Sequence, residues 1–478
     1  MDNLNGFVAT RADWLAVLPE TILACFGVLL ILMGAFKKIP RRACGIAAYL
    51  GFAASLASLW LGAKETAFFE MLSPRPECTA IFVFCGILSV YMAARFLESL
   101  VSKNAGEFFG ILMLAVAALS IFSRSHHLML TFVALEASAI CFYALIAWGR
   151  RTVENLEAAI RYIIASGVSG AFLLLGIAFI YGASFEAGTD LLYYGNFTEG
   201  AGNALFAVGA VLAISAVFFK LSAFPFQFWS ADVYQGSPLP VAAFLAAASK
   251  AAAAFALLKM LISLPYSENL VKILSLSAAL SIIVGNLGGI SERNPKRIIA
   301  FSGIANAGYL LVFLTAAVAL LNFGAENSKM VSLTLVLYVL AYVFALYSIF
   351  FVQSLNYSDS DYNMDICAYN GLSRKNPLAA ASLTAALASL AGIPPTAGFF
   401  AKLFVLVLAY AAGLYWLMLI LILGSAASIF YYFKWIRAAC EPAKEGGACG
   451  FGLGYASILI ALTLAILILG VKYAFYLF

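Results

Sequence analysis

Apolar residues in this chain gather into long runs broken by short polar stretches. Fourteen runs stand out, at 14–36, 43–62, 78–97, 107–123, 127–149, 157–182, 203–229, 238–262, 269–290, 296–321, 330–355, 378–411, 414–437 and 451–477. A helix needs about 20 apolar residues to cross the hydrocarbon core of a bilayer. The pattern therefore predicts an all-α polytopic membrane protein with about 14 transmembrane helices. Two of the runs carry a break. Pro225, in the seventh, has no N–H for the carbonyl of Leu221, and its ring crowds that carbonyl. The helix should open just after Lys220. Gly392-Ile393-Pro394-Pro395 interrupts the twelfth run in the same way. Irregular backbone at membrane depth survives only where protein buries it or a hydrated cavity lies beside it. Broken helices at corresponding places in two halves point to two inverted five-helix repeats with the working site at their interface. The expected divisions are an N-terminal three-helix segment over 1–106, a first repeat over 107–265, a second over 266–440, and a C-terminal helix over 441–478.

Composition agrees with this pattern. Hydrophobic residues make up 64% and charged residues only 11%, against about 25% charged in an ordinary globular domain. No large soluble domain fits. The formal charge of +5 becomes informative loop by loop. Of the 28 lysines and arginines, sixteen fall in loops after odd-numbered helices and eight on the opposite side. Basic residues concentrate in cytoplasmic loops, so the odd-numbered loops are expected in the cytoplasm and both termini on the outer side. The remaining four, Arg161, Lys220, Lys250 and Lys402, fall within helices. The eight cysteines are scattered and form no C-x-x-C. They read as small apolar fillers rather than a disulfide or metal framework. The N-terminal MDNLNGFVATRADW lacks a basic region before its apolar run, so no cleaved signal peptide is expected.

The helix-embedded charges carry the candidate chemistry. A charged side chain near the bilayer centre costs about 2.5–3.5 kcal/mol, and such residues mark ion pathways by default. Lys250 lies in AAASKAAAA, about a dozen residues from either end of its run. At 1.5 Å per residue it is ~18 Å from either surface, too far for easy snorkelling. The alanines around it let neighbouring helices approach closely. For Lys220 and Lys402, snorkelling to an interface is the bland alternative. A desolvated lysine can exchange its proton, whereas arginine cannot. Glu136 sits near the middle of LMLTFVALEASAICFYALIAW. Beside a lysine it suits proton handling, because each partner's occupancy depends on the other. Alone it would be a protonated carboxyl bonded to a neighbouring helix. Arg161, about one turn into its helix, either snorkels or tunes Glu136 or Lys220.

Some motifs are missing. There is no G-x-G-x-x-G between strand and helix and no Walker motif. His126 and His127 are adjacent, do not share a helix face, and so do not suit a haem. They are expected at the outer interface. Asn196-Phe197-Thr198 matches a glycosylation sequon.

FKLSAFPFQFWSADVYQGSPLPV, with ASK following, resembles the seventh and eighth helices of the antiporter-like subunits of respiratory complex I, the proton-translocating NADH–quinone oxidoreductase. LEAAIRYIIASGVSGAFLLLG, NPKRIIAFSGIANAGYLLV and LAGIPPTAGFFAKLFVL resemble further signatures of that family. Together they cover most of residues 107–437. Within the family the shorter, N-type subunits are the nearest likeness. They suit a lysine at 402 and a chain that stops after its fourteenth helix, where L-type subunits run on into a lateral helix. The resemblance implies that Glu136 and Lys220 form a charge pair. It implies that Lys250 and Lys402 continue a polar axis along the membrane midplane, through protons and internal water. It also implies that NADH, FMN, iron–sulfur clusters and quinone belong to partner subunits, with other membrane subunits of the complex as neighbours. The chain departs from the family pattern at Arg161, where lysine is common, and at Gln227 and Asn306, where many members have histidine. Gln and Asn can hold water but take up no proton in the physiological range. A proton step between the Lys250 and Lys402 regions is therefore expected to run over waters.

The leading reading is a proton-translocating membrane subunit of NADH–quinone oxidoreductase, part of a translocase but without a redox centre of its own. A secondary cation/proton antiporter subunit is the alternative, and a membrane scaffold with vestigial charges a third reading. The embedded Glu and lysines count against the scaffold. The signatures at 220–250 and 391–402 favour the first reading over the second.

Overall fold

A chain in lipid must satisfy its backbone polar groups internally, and each apolar run here does so as helix. The computed structural model describes residues 10–36, 40–61, 68, 70–99, 104–148, 153–321, 328–356, 364–442 and 452–474. Lys37, Lys38, Lys64, Lys103, Arg150, Arg151, Lys444, Cys449 and residues 1–9, at which no signal peptide is expected, lie outside the described residues. In chain order the main helices are α1 (Leu18–Ala35), α2 (Arg41–Ser58), α3 (Pro76–Ser99), α4 (Ala105–Arg124), α5 (Leu128–Ile146), α6 (Val153–Ala187), α7 (Ala204–Leu221) and α8 (Ser230–Gly236). They continue as α9 (Leu239–Ser263), α10 (Glu268–Ser291), α11 (Pro295–Leu321), α12 (Ser328–Gln353), α13 (Pro377–Ala391), α14 (Ala397–Ala411), α15 (Tyr415–Cys440) and α16 (Leu453–Ala474). Among the described residues, twelve helices are long and apolar enough to cross a membrane. With α2 and the split pair α13/α14 they make up the expected fourteen.

The chain forms two compact units. One comprises Met1–Arg151, Ile163–Val217 and Ala252–Pro265, the other Thr152–Tyr162, Phe218–Ala251 and Tyr266–Phe478. In the first unit α6 and α7 come close enough for backbone contact. A Cβ on Gly176 would lie 2.7 Å from the Gly209 carbonyl, and the reverse holds too. Small residues at such crossings are what lets membrane helices pack without a hydrophobic driving force. The second unit holds the α10–α11 hairpin, α12, both halves of the broken helix α13/α14, and the first half of α9.

Both breaks use one device. After Leu221, the N–H of Ala223 bonds the Phe218 carbonyl at 3.0 Å and that of Ser222 bonds the Phe219 carbonyl at 2.9 Å. After Ala391, Ile393 bonds Ala388 at 3.0 Å and Gly392 bonds Ser389 at 3.1 Å. These are paired 6→1 and 5→2 closures around a left-handed residue, with φ of 58° at Ser222 and 86° at Gly392. Glycine adopts that backbone freely, whereas serine holds it against its Cβ. A proline follows three residues later in each case, at Pro225 and Pro395. The correspondence has a consequence for the lysines. Lys220 precedes its break, while Lys402 follows its own. Lys220 thus corresponds to Leu390, and Lys402 to Asp232, so the two lysines are not equivalent positions of a repeat.

Two runs differ in their bounds from the sequence pattern, and a third holds a turn that the pattern does not show. The seventh run ends as helix at Leu221 and resumes only at Ser230. The sixth run extends to Val153–Ala187 because polar turns continue it beyond the apolar stretch, which puts Arg161 more than two turns into α6. Inside α9, residues 245–249 form a π turn immediately before Lys250, a feature that carries no apolar–polar signature and recurs at functional sites.

Candidate functional site

Lys220, Lys250 and Lys402 all lie in the second unit, and all three are buried. Lys220 sits on the last turn of α7. Its Nζ donates to the Tyr162 hydroxyl at 3.4 Å. Tyr162 in turn packs edge-on against Trp229, centroids 5.1 Å apart, and Trp229 donates its indole N–H to the Phe219 carbonyl. Trp229 also meets Tyr234, whose ring lies 6.0 Å from Lys250 Nζ. An aromatic run thus lies between the surroundings of the two lysines.

Lys250 projects from the turn after the π segment. Among the described groups its Nζ finds no hydrogen-bond partner. It borders a cavity with about 20 Å³ of room for water centres, lined by Leu221, Asn306, Tyr338 and Tyr342 among others. A cavity must exceed about 10–15 Å³ on that measure to hold a water, so one molecule fits. A second cavity of about 10 Å³ lies against Lys402 and Ser389 and shares Asn306, Tyr338 and Tyr342 with the first. Asn306 therefore stands between Lys250 and Lys402. Its amide donates to the Ser302 carbonyl at 2.9 Å, and Tyr338 donates to its Oδ1 at 2.9 Å.

Lys402, on α14, folds back onto the end of α13. Its Nζ donates to the carbonyls of Leu390 at 2.8 Å and Ala391 at 3.1 Å, and lies 4.6 Å from the Tyr309 ring centre. The last carbonyls of a helix lack intrahelical partners and carry the negative end of its dipole. Breaking the helix therefore creates the acceptors that hold this ammonium. Tyr309 continues into a polar network, in which Asn286 donates to its hydroxyl at 3.4 Å and accepts from Tyr431 at 3.3 Å.

Glu136 belongs to the first unit, on α5, and is half-buried. It faces α6 where that helix has Gly170. A Cβ there would sit 2.3 Å from its Oε1. Arg161 lies on the exposed side of α6, paired with Glu157 at 2.6 Å and with Asp232. Asp232 also takes Arg297 at 2.7 Å, and Arg297 reaches Glu292 at 2.7 Å. Gln227 is buried in the segment after the first break.

Sequence reasoning missed several residues. Tyr162, Tyr234, Tyr309, Tyr338 and Tyr342 line the lysine path, yet each reads as core filler within an apolar run. It also counted Arg124 and Lys259 among the eight basic residues of the outer side. Both are buried in the first unit, where Arg124 pairs with Glu20 at 2.6 Å and Lys259 donates to the Arg124 carbonyl at 2.8 Å. His127 caps α5, its Nδ1 accepting from Met129 N at 3.2 Å. Among the described residues no cluster of His, Cys, Asp or Glu could hold a metal ion.

Residues 125–428 match the family described as NADH:quinone oxidoreductase/Mrp antiporter, transmembrane. The chain is 34% identical over 454 residues to NADH-quinone oxidoreductase subunit N 1 of Opitutus terrae, covering 90% of this chain and 88% of that one. It is 30% identical to NADH-quinone oxidoreductase subunit N of Desulfitobacterium hafniense, over 96% of this chain and 91% of the relative. Among solved structures it resembles a chain of respiratory complex I from Thermus thermophilus with bound aureothin. The TM-score is 0.80 and the identity 31%, over 95% of this chain and 96% of that one. A chain of the Mrp complex from Dietzia sp. shares the fold alone, at TM-score 0.78 and 18% identity, over 98% of this chain and 96% of that one.

Proposed function

Because the chain belongs to the NADH:quinone oxidoreductase/Mrp antiporter membrane family, we propose that it is the N-type membrane subunit of an NADH–quinone oxidoreductase and carries protons across the bilayer. Electron transfer from NADH to quinone in partner subunits drives it. The observation that carries this reading is the set of buried lysines in the second unit, with one cavity roomy enough for a water at Lys250 and a smaller one at Lys402, both lined by Asn306.

The chemistry follows from what each group can hold. Two helix-end carbonyls and the Tyr309 face solvate the Lys402 ammonium when it is charged. Lys250 has none of these and depends on water for solvation. Asn306 cannot carry a proton, so protons pass it on water, through the cavities on either side. Lys220 begins the row, with Tyr162 fixing its ammonium. Glu136 is its acidic partner in this reading, and Arg161 tunes the pair only indirectly, since its guanidinium is engaged by Glu157 and Asp232. NADH, FMN, iron–sulfur clusters and quinone reside in partner subunits, and this chain holds no redox centre. The protein works in a bacterial inner membrane among the other membrane subunits of the complex, with both termini outside.

Purification of the native complex tests the reading. It should bring down redox subunits and show NADH–quinone reductase activity coupled to proton uptake without a sodium requirement. Sodium-dependent proton exchange without reductase activity would instead favour the antiporter alternative. Cysteine labelling should find the 291–297 loop cytoplasmic and the 186–200 loop outside. Labelling of 291–297 from the outer side would reject the orientation.

A further inference from the structure

Lys250 and Glu136 each have a glycine set against the charged end of the side chain. Among the described glycines, only Gly170 and Gly303 would place an added Cβ closer than 3.0 Å to the charged end of a side chain. The Gly303 Cβ would fall 2.3 Å from Lys250 Nζ and 3.1 Å from the Tyr342 hydroxyl. The other crowded glycines meet backbone, apolar or ring atoms first. Helix crossing alone explains those, but it does not explain a glycine set against an ammonium.

Two further facts converge on the same point. Lys250 Nζ and Tyr342 Oη are both buried and, among the described groups, both lack a hydrogen-bond partner. Both line the 20 Å³ cavity, in which one water has room. An ammonium has three donors and no acceptor, and a phenol has a donor and an acceptor. A single water can accept from the first and bond the second. Leaving a buried charge unsolvated would be far more costly than immobilising one water.

We propose that Gly303 and Tyr342 build a one-water site that solvates the Lys250 ammonium, the glycine by leaving room for the ammonium and the tyrosine by supplying the water's second partner. Both are positioning residues, since they act through Lys250. The π turn before Lys250 and the absent Cβ of Gly303 together set where the ammonium lies. Gly303→Ala displaces Nζ from this point, and Tyr342→Phe removes one oxygen while keeping the ring that fills the space.

This inference rests on the reading of Lys250 as a proton carrier, and the test separates the two. The whole complex is prepared with Gly303→Ala, Tyr342→Phe and, as reference, Lys250→Ala, at matched complex content. Proton pumping, NADH–quinone turnover and the solvent deuterium isotope effect on turnover are measured. Both positioning variants should lower coupled turnover several-fold with the KM for quinone unchanged, and the isotope effect should rise because the proton step at Lys250 becomes slower. A purely structural role would leave the isotope effect where it is. A high-resolution map of the parent complex should place a water within hydrogen-bond distance of Lys250 Nζ and Tyr342 Oη. If Lys250→Ala pumps normally, the underlying reading fails. If Lys250→Ala is impaired but Tyr342→Phe keeps the parent's turnover and isotope effect, only the one-water site is overturned. Should Gly303→Ala not assemble, Tyr342→Phe and the map decide alone.

Discussion

Removing Arg124 should cost stability and spare the chemistry. Its guanidinium donates to Glu20 Oε1 at 2.6 Å, to the Ala16 carbonyl at 3.0 Å and to the Ser73 carbonyl at 3.1 Å. Both charges are buried in the first unit. Among the described groups, Arg124→Ala would leave the Glu20 carboxylate with the hydroxyls of Ser120 and Thr79, which donate to it at 2.6 and 3.1 Å. Removing one partner of a buried pair costs about 3–5 kcal/mol, a large share of the ~5–15 kcal/mol that holds a domain together. Replacing both partners by apolar groups of similar volume is often close to neutral. The double variant Glu20→Met/Arg124→Met should therefore recover most of the loss. The assay is thermal inactivation of the purified complex, read beside the protons moved per NADH oxidised. The single variant should inactivate at lower temperature, the double should regain most of the difference, and the ratio should stay that of the parent in both. A lowered ratio in assembled Arg124→Ala complex would place this pair in the proton path. A double variant no better than the single would show that the stranded charge is not the cause.

Three further outcomes follow from the same geometry. Arg161→Ala should cost about 1 kcal/mol or less, because its ion pairs are half-exposed and Asp232 keeps Arg297; proton pumping should fall little at intact assembly, and a large loss would give Arg161 a direct role. Lys402→Arg should assemble, since a guanidinium can still donate to the Leu390 and Ala391 carbonyls, yet lose pumping because arginine does not release its proton; normal pumping would reduce Lys402 to a structural charge. Burial pushes His126 down to about 4, with the charge of Lys259 adding to the effect, and also lowers His127. The unfolded chain takes up these protons near ~6.5 and the folded one does not, so this stabilisation is full above that pH and is lost as pH falls toward 4. Thermal inactivation should worsen between pH ~7.5 and ~5 by this amount, and His126→Gln should flatten the slope; an unchanged slope would show that His126 is not a source.

The fold was legible because lipid imposes a simple rule. Runs of apolar residues long enough to span predict helices, and most of their limits fell within a few residues of those observed, the end of the seventh run at Leu221 being the main exception. The breaks were legible from proline, whose lost N–H and ring leave the chain little choice at Pro225 and Pro395. What could not be read was how each break closes. Ser222 adopts a left-handed backbone that no composition rule assigns to serine, and the acceptors for Lys402 exist only once α14 has folded back onto α13. The tyrosines around Asn306 were invisible for another reason. A phenol on an apolar helix looks like filler until the neighbouring helix supplies its partner, as Asn306 does for Tyr338. Buried Arg124 and Lys259 were misjudged because position near a helix end suggests solvent, whereas contacts over more than a hundred residues of sequence bury them.

The measurement that tests the central claim most directly is proton pumping and quinone reductase activity of Lys220 variants, in membranes with matched complex content. Lys220 is buried beside an opened backbone and held by Tyr162. Lys220→Ala should impair proton translocation and slow NADH–quinone turnover coupled to it. Electron transfer from NADH to an artificial acceptor should persist, because this account places the redox groups in partner subunits. Lys220→Arg should retain the charge without the exchange, and so keep assembly but not pumping. If Lys220→Ala pumps and turns over like the parent, this lysine is outside the pathway and the account of a lysine-borne proton path is contradicted.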